Sequence, residues 1–146
     1  MGGHPWWYLV PYERDVEKSL EALRQRELKA GRYNPVERFP RFPVDVQHRP
    51  GGKHASAEAA RAAASASGTR SILDMMRVSA KPDFGAVAPL DETELMDLFG
   101  TAKPTAEDVE DSDEMFDQLE RGQGAYLVVY EDDEPSQLFF AGYSYD

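Results

Sequence analysis

The chain has 146 residues, no cysteine and a formal net charge of −11. This length corresponds to a single globular domain, residues 1–146, that buries a core without metal or disulfide support, and the lack of cysteine excludes disulfides, thiolate metal sites and a cysteine nucleophile. Because no apolar run approaches the roughly 20 residues of a membrane helix and the N-terminus lacks a signal-peptide pattern, we expect a cytoplasmic protein with no membrane partner.

The first predicted element is a strand over residues 5–12, where aromatic and β-branched side chains favour extended backbone. Trp6 and Tyr8 fall on one face and Trp7 on the other, so both faces are apolar. This pattern is typical of a strand that is central or covered on both sides. An amphipathic helix is predicted next, over residues 14–30.

Residues 31–55 contain four prolines and three glycines and predict no regular element. A loop of this length in a compact domain is usually functional or mobile. Beyond it, Ser56 is a predicted cap for an alanine-rich helix over about 57–67. A strand is predicted over residues 70–78.

In the second half of the chain, a capping box at Asp91 opens a short predicted helix. A longer, acidic helix is predicted over residues 106–121. Two β-rich runs, 125–131 and 137–145, flank a charged turn and predict a hairpin.

Together these elements predict an α+β fold with a small antiparallel sheet, built from the N-terminal strand and the C-terminal hairpin. Three to four helices pack on this sheet, and the long Pro/Gly-rich loop joins them. Sequential antiparallel strands with segregated helices favour this arrangement over a parallel sheet.

The charge is distributed unevenly along the chain. Residues 1–90 carry 14 Lys+Arg and 10 Asp+Glu, whereas residues 91–146 carry 2 and 17. Acidic surfaces of this kind commonly serve solubility alone. They also steer association with a basic partner, and they oppose a nucleic-acid partner.

Gly2, Gly3 and His4 form the most specific chemical signal in the sequence. If Met1 is removed, the terminus becomes Gly-Gly-His, which resembles the amino-terminal copper- and nickel-binding motif. The terminal amine, two backbone amides and a ring nitrogen then form a square-planar site that suits Cu(II) or Ni(II). Such a site needs a free terminus, and the strand that follows at once favours a packed His4 instead. No other cofactor is indicated.

Basic and aromatic residues alternate within the long loop, at Arg38, Phe39, Arg41 and Phe42. This pattern can bind single-stranded nucleic acid through charge and stacking. The alternative is a proline-stiffened strap, in which the two phenylalanines pack on the core while the arginines face water. A third interpretation is that the basic strap faces the acidic helix within the same fold.

Tyrosines crowd the predicted hairpin at Tyr126, Tyr130, Tyr143 and Tyr145. If helices cover only one face of the sheet, these residues contribute to an exposed aromatic surface of the kind enriched at protein contacts. If both faces are covered, they belong to the core.

Signals for catalysis are sparse. The three histidines form no recognisable triad pattern, and no glycine-rich motif for phosphates or dinucleotides is present. Asp74 is the acid most expected to be partly buried, as a structural carboxylate paired with Arg70 or Arg77.

These patterns favour a protein-binding or regulatory module, of the immunity or inhibitor type, whose acidic and aromatic surface meets a basic protein or a second copy of the chain. The alternative is a small enzyme or ligand-binding protein with a pocket under the 31–55 loop. Its candidate residues are Tyr8, Arg38, Arg41, His48 and Asp74. A weaker alternative is metal binding through His4.

Overall fold

The computed structural model describes residues 3–44 and 51–146. Its strands are β1 (Pro5–Pro11), β2 (Arg77–Val78), β3 (Ala86–Pro89), β4 (Gly124–Glu131) and β5 (Glu134–Tyr143). Its α-helices are α1 (Val16–Ala30), α2 (Ala57–Ala64), α3 (Glu92–Phe99), α4 (Ala106–Glu110) and α5 (Glu114–Asp117). Two 3₁₀ turns span Ser65–Ser67 and Ile72–Asp74.

The five strands form one mixed sheet in the order β1-β5-β4-β3-β2. β5 lies between β1 and β4 and is antiparallel to both, whereas β3 is parallel to β4 and to β2. The predicted small antiparallel sheet is therefore wrong. The prediction missed β3, because this four-residue strand is buried along most of its length and lacks the alternating pattern of a half-exposed strand.

The predicted strand over 70–78 is also wrong along most of its length. Its apolar centre forms the Ile72–Asp74 turn, and only two residues join the sheet as β2. The Ser71 side chain accepts a hydrogen bond from the Leu73 N–H and so caps the turn. Ser and Asp side chains offer the backbone such local hydrogen bonds in competition with a strand.

The described ranges contain five α-helices, more than the predicted three to four. The predicted helix over 106–121 is divided into α4 and α5, separated by Asp111, Ser112 and Asp113. These residue types are poor helix formers, and like charges four residues apart, as at Glu107 and Asp111, weaken a continuous helix. The helix predicted over 14–30 is confirmed as α1.

Helices cover both faces of the sheet. On one face, Trp6 and Tyr8 of β1 pack with Leu20 and Leu23 of α1 in a buried cluster. On the other face, residues of β4 and β5 pack with Val109 and neighbours from the segment containing α3, α4 and α5. Complete burial of a large apolar side chain such as Trp6 contributes about 1.5–3 kcal/mol. None of the helices in the described ranges is both long and apolar enough to span a bilayer.

A buried ion pair joins the end of α1 to the loop that follows. The Arg32 side chain donates from Nε and Nη2 to the two carboxylate oxygens of Glu27, at 2.8 and 2.5 Å, and Arg26 Nε donates at 2.9 Å. Glu27 is completely buried. The pKa of the nearby Tyr8 phenol is raised well above its usual range, by burial first and by the Glu27 charge second.

Replacing Glu27 by alanine leaves the Arg32 guanidinium buried without its counter-charge. We expect the free energy of unfolding to fall by about 3–5 kcal/mol, as measured by denaturant titration. Glu17→Ala is the matched control on the same helix, because Glu17 is an exposed first-turn residue whose loss costs about 1 kcal/mol or less. Equal losses in the two variants would contradict a structural role for the buried pair.

Candidate functional site

β1 is the edge strand of the sheet, and its outer side is unpaired within the part of the chain that the structure describes. The Tyr12 N–H donates to the Ser136 carbonyl at 3.1 Å, and the β1–β5 register continues this alternation along the strand. Hydrogen-bonded positions alternate in an antiparallel pair, so the even-numbered residues bond to β5. The backbone N–H and C=O groups of Trp7 and Leu9 therefore point away from β5.

Prolines restrict what this edge can pair with. Pro5 and Pro11 occupy the two flanking outward positions of β1 and have no N–H to donate. Within residues 3–44 and 51–146, no group is hydrogen-bonded to the backbone of Trp7 or Leu9. The strand is thus guarded at both ends and offers two backbone donors at its centre.

A groove of about 520 Å³ runs beside this open edge. Its floor is the centre of β1, namely Trp7, Tyr8 and Leu9. One wall is formed by α4, α5 and the turn between them, and the opposite wall by Arg26 of α1 with Pro43 and Val44 of the loop. The groove therefore lies where the two helical layers separate at the edge of the sheet.

The α4–α5 wall combines apolar and acidic side chains. Val109 and Phe116 face the groove beside the exposed residues Glu110 and Asp113. Phe116 packs edge-on against Trp7, with ring centroids 6.1 Å apart. An apolar surface with acids at its rim suits a ligand that carries both an apolar body and a positive charge.

These acids belong to a larger acidic layer, residues 91–120, which holds α3, α4 and α5. The layer contains twelve Asp+Glu and a single basic residue, Lys103. In the part of the chain that the structure describes, none of its carboxylates forms an ion pair with a lysine or arginine. Its negative charge is therefore not neutralised within the described fold.

The basic and aromatic residues of the loop, Arg38, Phe39, Arg41 and Phe42, do not form one continuous surface. Phe42 packs on Trp7 and Tyr8, with ring centroids 5.4 Å apart in each case. Phe39 is 58% exposed and lies between the guanidinium groups of Arg38 and Arg70, at 5.2 and 4.9 Å, and Arg41 is exposed. Only one of the two phenylalanines thus fixes the loop to the core.

The hairpin tyrosines do not form one surface. They contact different neighbours: Tyr126 lies against Phe140, Tyr130 against Lys103, Tyr143 against Phe116 and Tyr145 against Phe84. All four are partly buried, and helices cover both sheet faces. The aromatic side chains that do line an open groove are Trp7 and Phe116, which the sequence patterns did not single out as binding residues.

Gly3 of the candidate metal motif is packed against the chain's other end. A Cβ at Gly3 would lie 1.9 Å from the backbone oxygen of Asp146, and the His4 ring is tilted against Phe42 with centroids 6.3 Å apart. Burial lowers the pKa of His4. Among the residues described, no cluster of three His, Asp or Glu could hold a metal.

Several residues of the candidate sites lie outside the described residues. They are Met1 and Gly2 of the metal motif and His48 and Arg49 of the loop.

Asp74 is completely buried, beyond the partial burial expected, and its partners differ from those predicted. The Thr69 N–H and hydroxyl donate to its Oδ1 at 2.7 and 2.8 Å, and the Ser144 hydroxyl lies 2.8 Å from its Oδ2. Arg70 instead pairs with Asp146, and Arg77 pairs with Asp83. Sequence spacing could not reveal the Ser144 contact, because the two residues are 70 positions apart.

Ser144 has one hydroxyl proton and two acceptors within reach, Asp74 Oδ2 at 2.8 Å and the Ser67 carbonyl at 3.0 Å. If Asp74 is protonated, its own O–H donates to Ser144 and frees the Ser144 proton for Ser67. Burial raises the pKa of Asp74, against the opposing effect of the Thr69 hydrogen bonds. The hydrogen bonds of this cluster are therefore compatible with a neutral, protonated Asp74 carboxyl.

No known protein family, curated protein or solved structure matches the chain. The functional argument therefore depends on the groove, the open strand edge and the acidic layer.

The raised pKa predicts how stability depends on pH. The folded state holds the Asp74 proton more tightly than the unfolded state does, so this stabilisation is complete below the usual value of 3.8 and declines as pH rises through the folded-state pKa. In Asp74→Asn, the new amide donates to Ser144 at every pH. We therefore expect the free energy of unfolding of Asp74→Asn to improve relative to wild type as pH rises, measured by denaturant titration.

Asp74→Ala is the control for this prediction, because it removes the acceptor of the Thr69 donors and costs about 1–3 kcal/mol for each donor left unsatisfied. A wild type that gained stability relative to Asp74→Asn with rising pH would contradict the interpretation.

Proposed function

We propose that the protein is a binding module that recognises a basic protein through the acidic layer and the groove beside β1. The unneutralised charge of residues 91–120 carries this proposal. Surface charge of one sign raises the rate of encounter with a partner of the opposite sign. The apolar floor of the groove supplies the desolvated contact from which most binding energy comes.

A regulatory or inhibitor role fits this mode of binding, because it requires no catalytic step. The cysteine-free composition is compatible with action in the reducing cytoplasm. The same charge opposes nucleic acid. It also opposes a homodimer that would place two acidic layers face to face, so a basic protein is the preferred partner.

Neutralising the acidic layer should abolish capture of the partner from lysate of the source cell. The test variant combines Glu107→Gln, Glu110→Gln, Asp111→Asn and Asp113→Asn. The control makes the same change in net charge outside the layer, with Glu17→Gln, Glu58→Gln, Glu131→Gln and Asp133→Asn. We expect wild type and control to capture the same basic protein, with capture lost as salt rises.

Mass spectrometry identifies the captured protein. Retention by the layer variant equal to that by the control, or capture of an acidic protein that persists at high salt, would contradict the proposal.

A second candidate function is binding of a small molecule, favoured by the size of the groove. About 520 Å³ lies within the range of small-molecule pockets, and Pro43 and Val44 place one wall on the loop. The expected ligand is an aromatic or aliphatic compound with a positive charge near Glu110 and Asp113.

An NMR screen of cationic aromatic fragments tests this second function. If it is correct, a fragment shifts the amide resonances of Trp7 and Leu9, and Val44→Trp abolishes the shift by filling the groove. Met96→Trp is the control, because Met96 is exposed and does not line the groove. A screen without hits in the groove would count against this function.

A further inference from the structure

We infer that the basic partner presents an extended segment that adds to the open edge of β1 as a sixth strand. This inference depends on the proposed function and specifies how the partner is held. Strand addition to an exposed sheet edge is a recurring mode of peptide recognition, in which main-chain hydrogen bonds give affinity and alternate side chains give specificity.

The backbone of β1 has the spacing that strand addition requires. Trp7 and Leu9 are two residues apart, and both direct an N–H and a C=O to the open side. An added strand bonds to every second residue of its neighbour. Because Pro5 and Pro11 supply no donor, the added segment is centred on Trp7 and Leu9 and is short.

The walls of the groove determine the side chains of that segment. Successive side chains of a strand point to opposite faces of the sheet. An added strand here directs one set of side chains to Glu110 and Asp113 and the other set to Pro43 and Val44. We therefore expect basic residues at every second position, with apolar residues between them.

Arginine suits the acidic side of the groove better than lysine does. Its planar guanidinium stacks on aromatic faces such as those of Trp7 and Phe116 while it pairs with carboxylates. Glu110 and Asp113 lie on the same wall as Phe116, and Trp7 forms part of the adjoining floor.

A second copy of the chain fits this site less well. The sequence of β1, Pro-Trp-Trp-Tyr-Leu-Val-Pro, contains no basic residue. Edge-to-edge pairing of two β1 strands would therefore bring no cation to Glu110 or Asp113.

Two end-capped peptides of identical composition test the inference: Arg-Val-Arg-Val-Arg-Val and Arg-Arg-Arg-Val-Val-Val. They carry the same charge, but only the first alternates. We expect the alternating peptide to bind the intact protein at least about tenfold more tightly at low salt, measured by calorimetry.

Amide hydrogen exchange locates the bound peptide. In the free protein, the Trp7 and Leu9 amides should exchange fast, and the Tyr8 and Val10 amides slowly because they bond to β5. The alternating peptide should slow only the first pair. If Trp7 and Leu9 are already protected in the free protein, the edge is occupied and the inference is overturned.

Matched variants separate the groove from the acidic layer as a whole. Glu110→Gln combined with Asp113→Asn should remove the preference for the alternating peptide. Glu107→Gln combined with Asp111→Asn, which changes the same layer outside the groove, should retain it.

Equal binding of both peptides without protection of Trp7 and Leu9 would overturn strand addition and leave the proposed function standing. Failure of both peptides to bind at low salt would overturn both.

Discussion

Among the described residues, the backbone hydrogen bonds of β1 are directed to one side, toward β5, although both faces of this strand are apolar. A strand of this kind needs cover from two layers, and the chain supplies them from distant regions. α1 and the loop residues Phe42 and Val44 cover one face, and α4 and α5 help cover the other. Phe42 contacts Trp7 and Tyr8 on both faces, and a groove remains between the covering layers beside the centre of β1. The candidate site is thus a consequence of how the edge strand is buried.

The position of β1 depends in turn on β5, whose C-terminal end is fixed by a buried polar cluster. Ser144 directly follows β5 and contacts Asp74, which Thr69 also holds. Gly68 allows the close approach. Its φ is +73°, and a Cβ there would lie 2.4 Å from the Ser144 hydroxyl oxygen. The cluster therefore links the segment before β2 to the end of β5, the strand to which β1 is hydrogen-bonded.

The parts of this fold that sequence could predict are those with a local signal. The two apolar faces of β1, the periodicity of α1 and the capping box at Asp91 each lie within one segment, and all are present in the structure. β3 has no such signal, because it is only four residues long and its pairing with β4 joins residues that are far apart in the sequence, such as Val87 and Gly124. The unpaired backbone groups of Trp7 and Leu9 are likewise set by the register with β5, so the apolar faces of β1 were predictable from the sequence but these groups were not.

Charge connects the sheet edge to the acidic layer. The twelve acids of residues 91–120 repel one another, and repulsion of this kind destabilises a compact state. The fold does not relieve it, since none of the layer's carboxylates forms an ion pair within the described ranges. A basic ligand bound between Glu110 and the edge of β1 would relieve the repulsion. It would at the same time form hydrogen bonds with the outward backbone groups of Trp7 and Leu9. Any ligand that binds the folded state alone stabilises it, so recognition and the stability of this layer are expected to be linked.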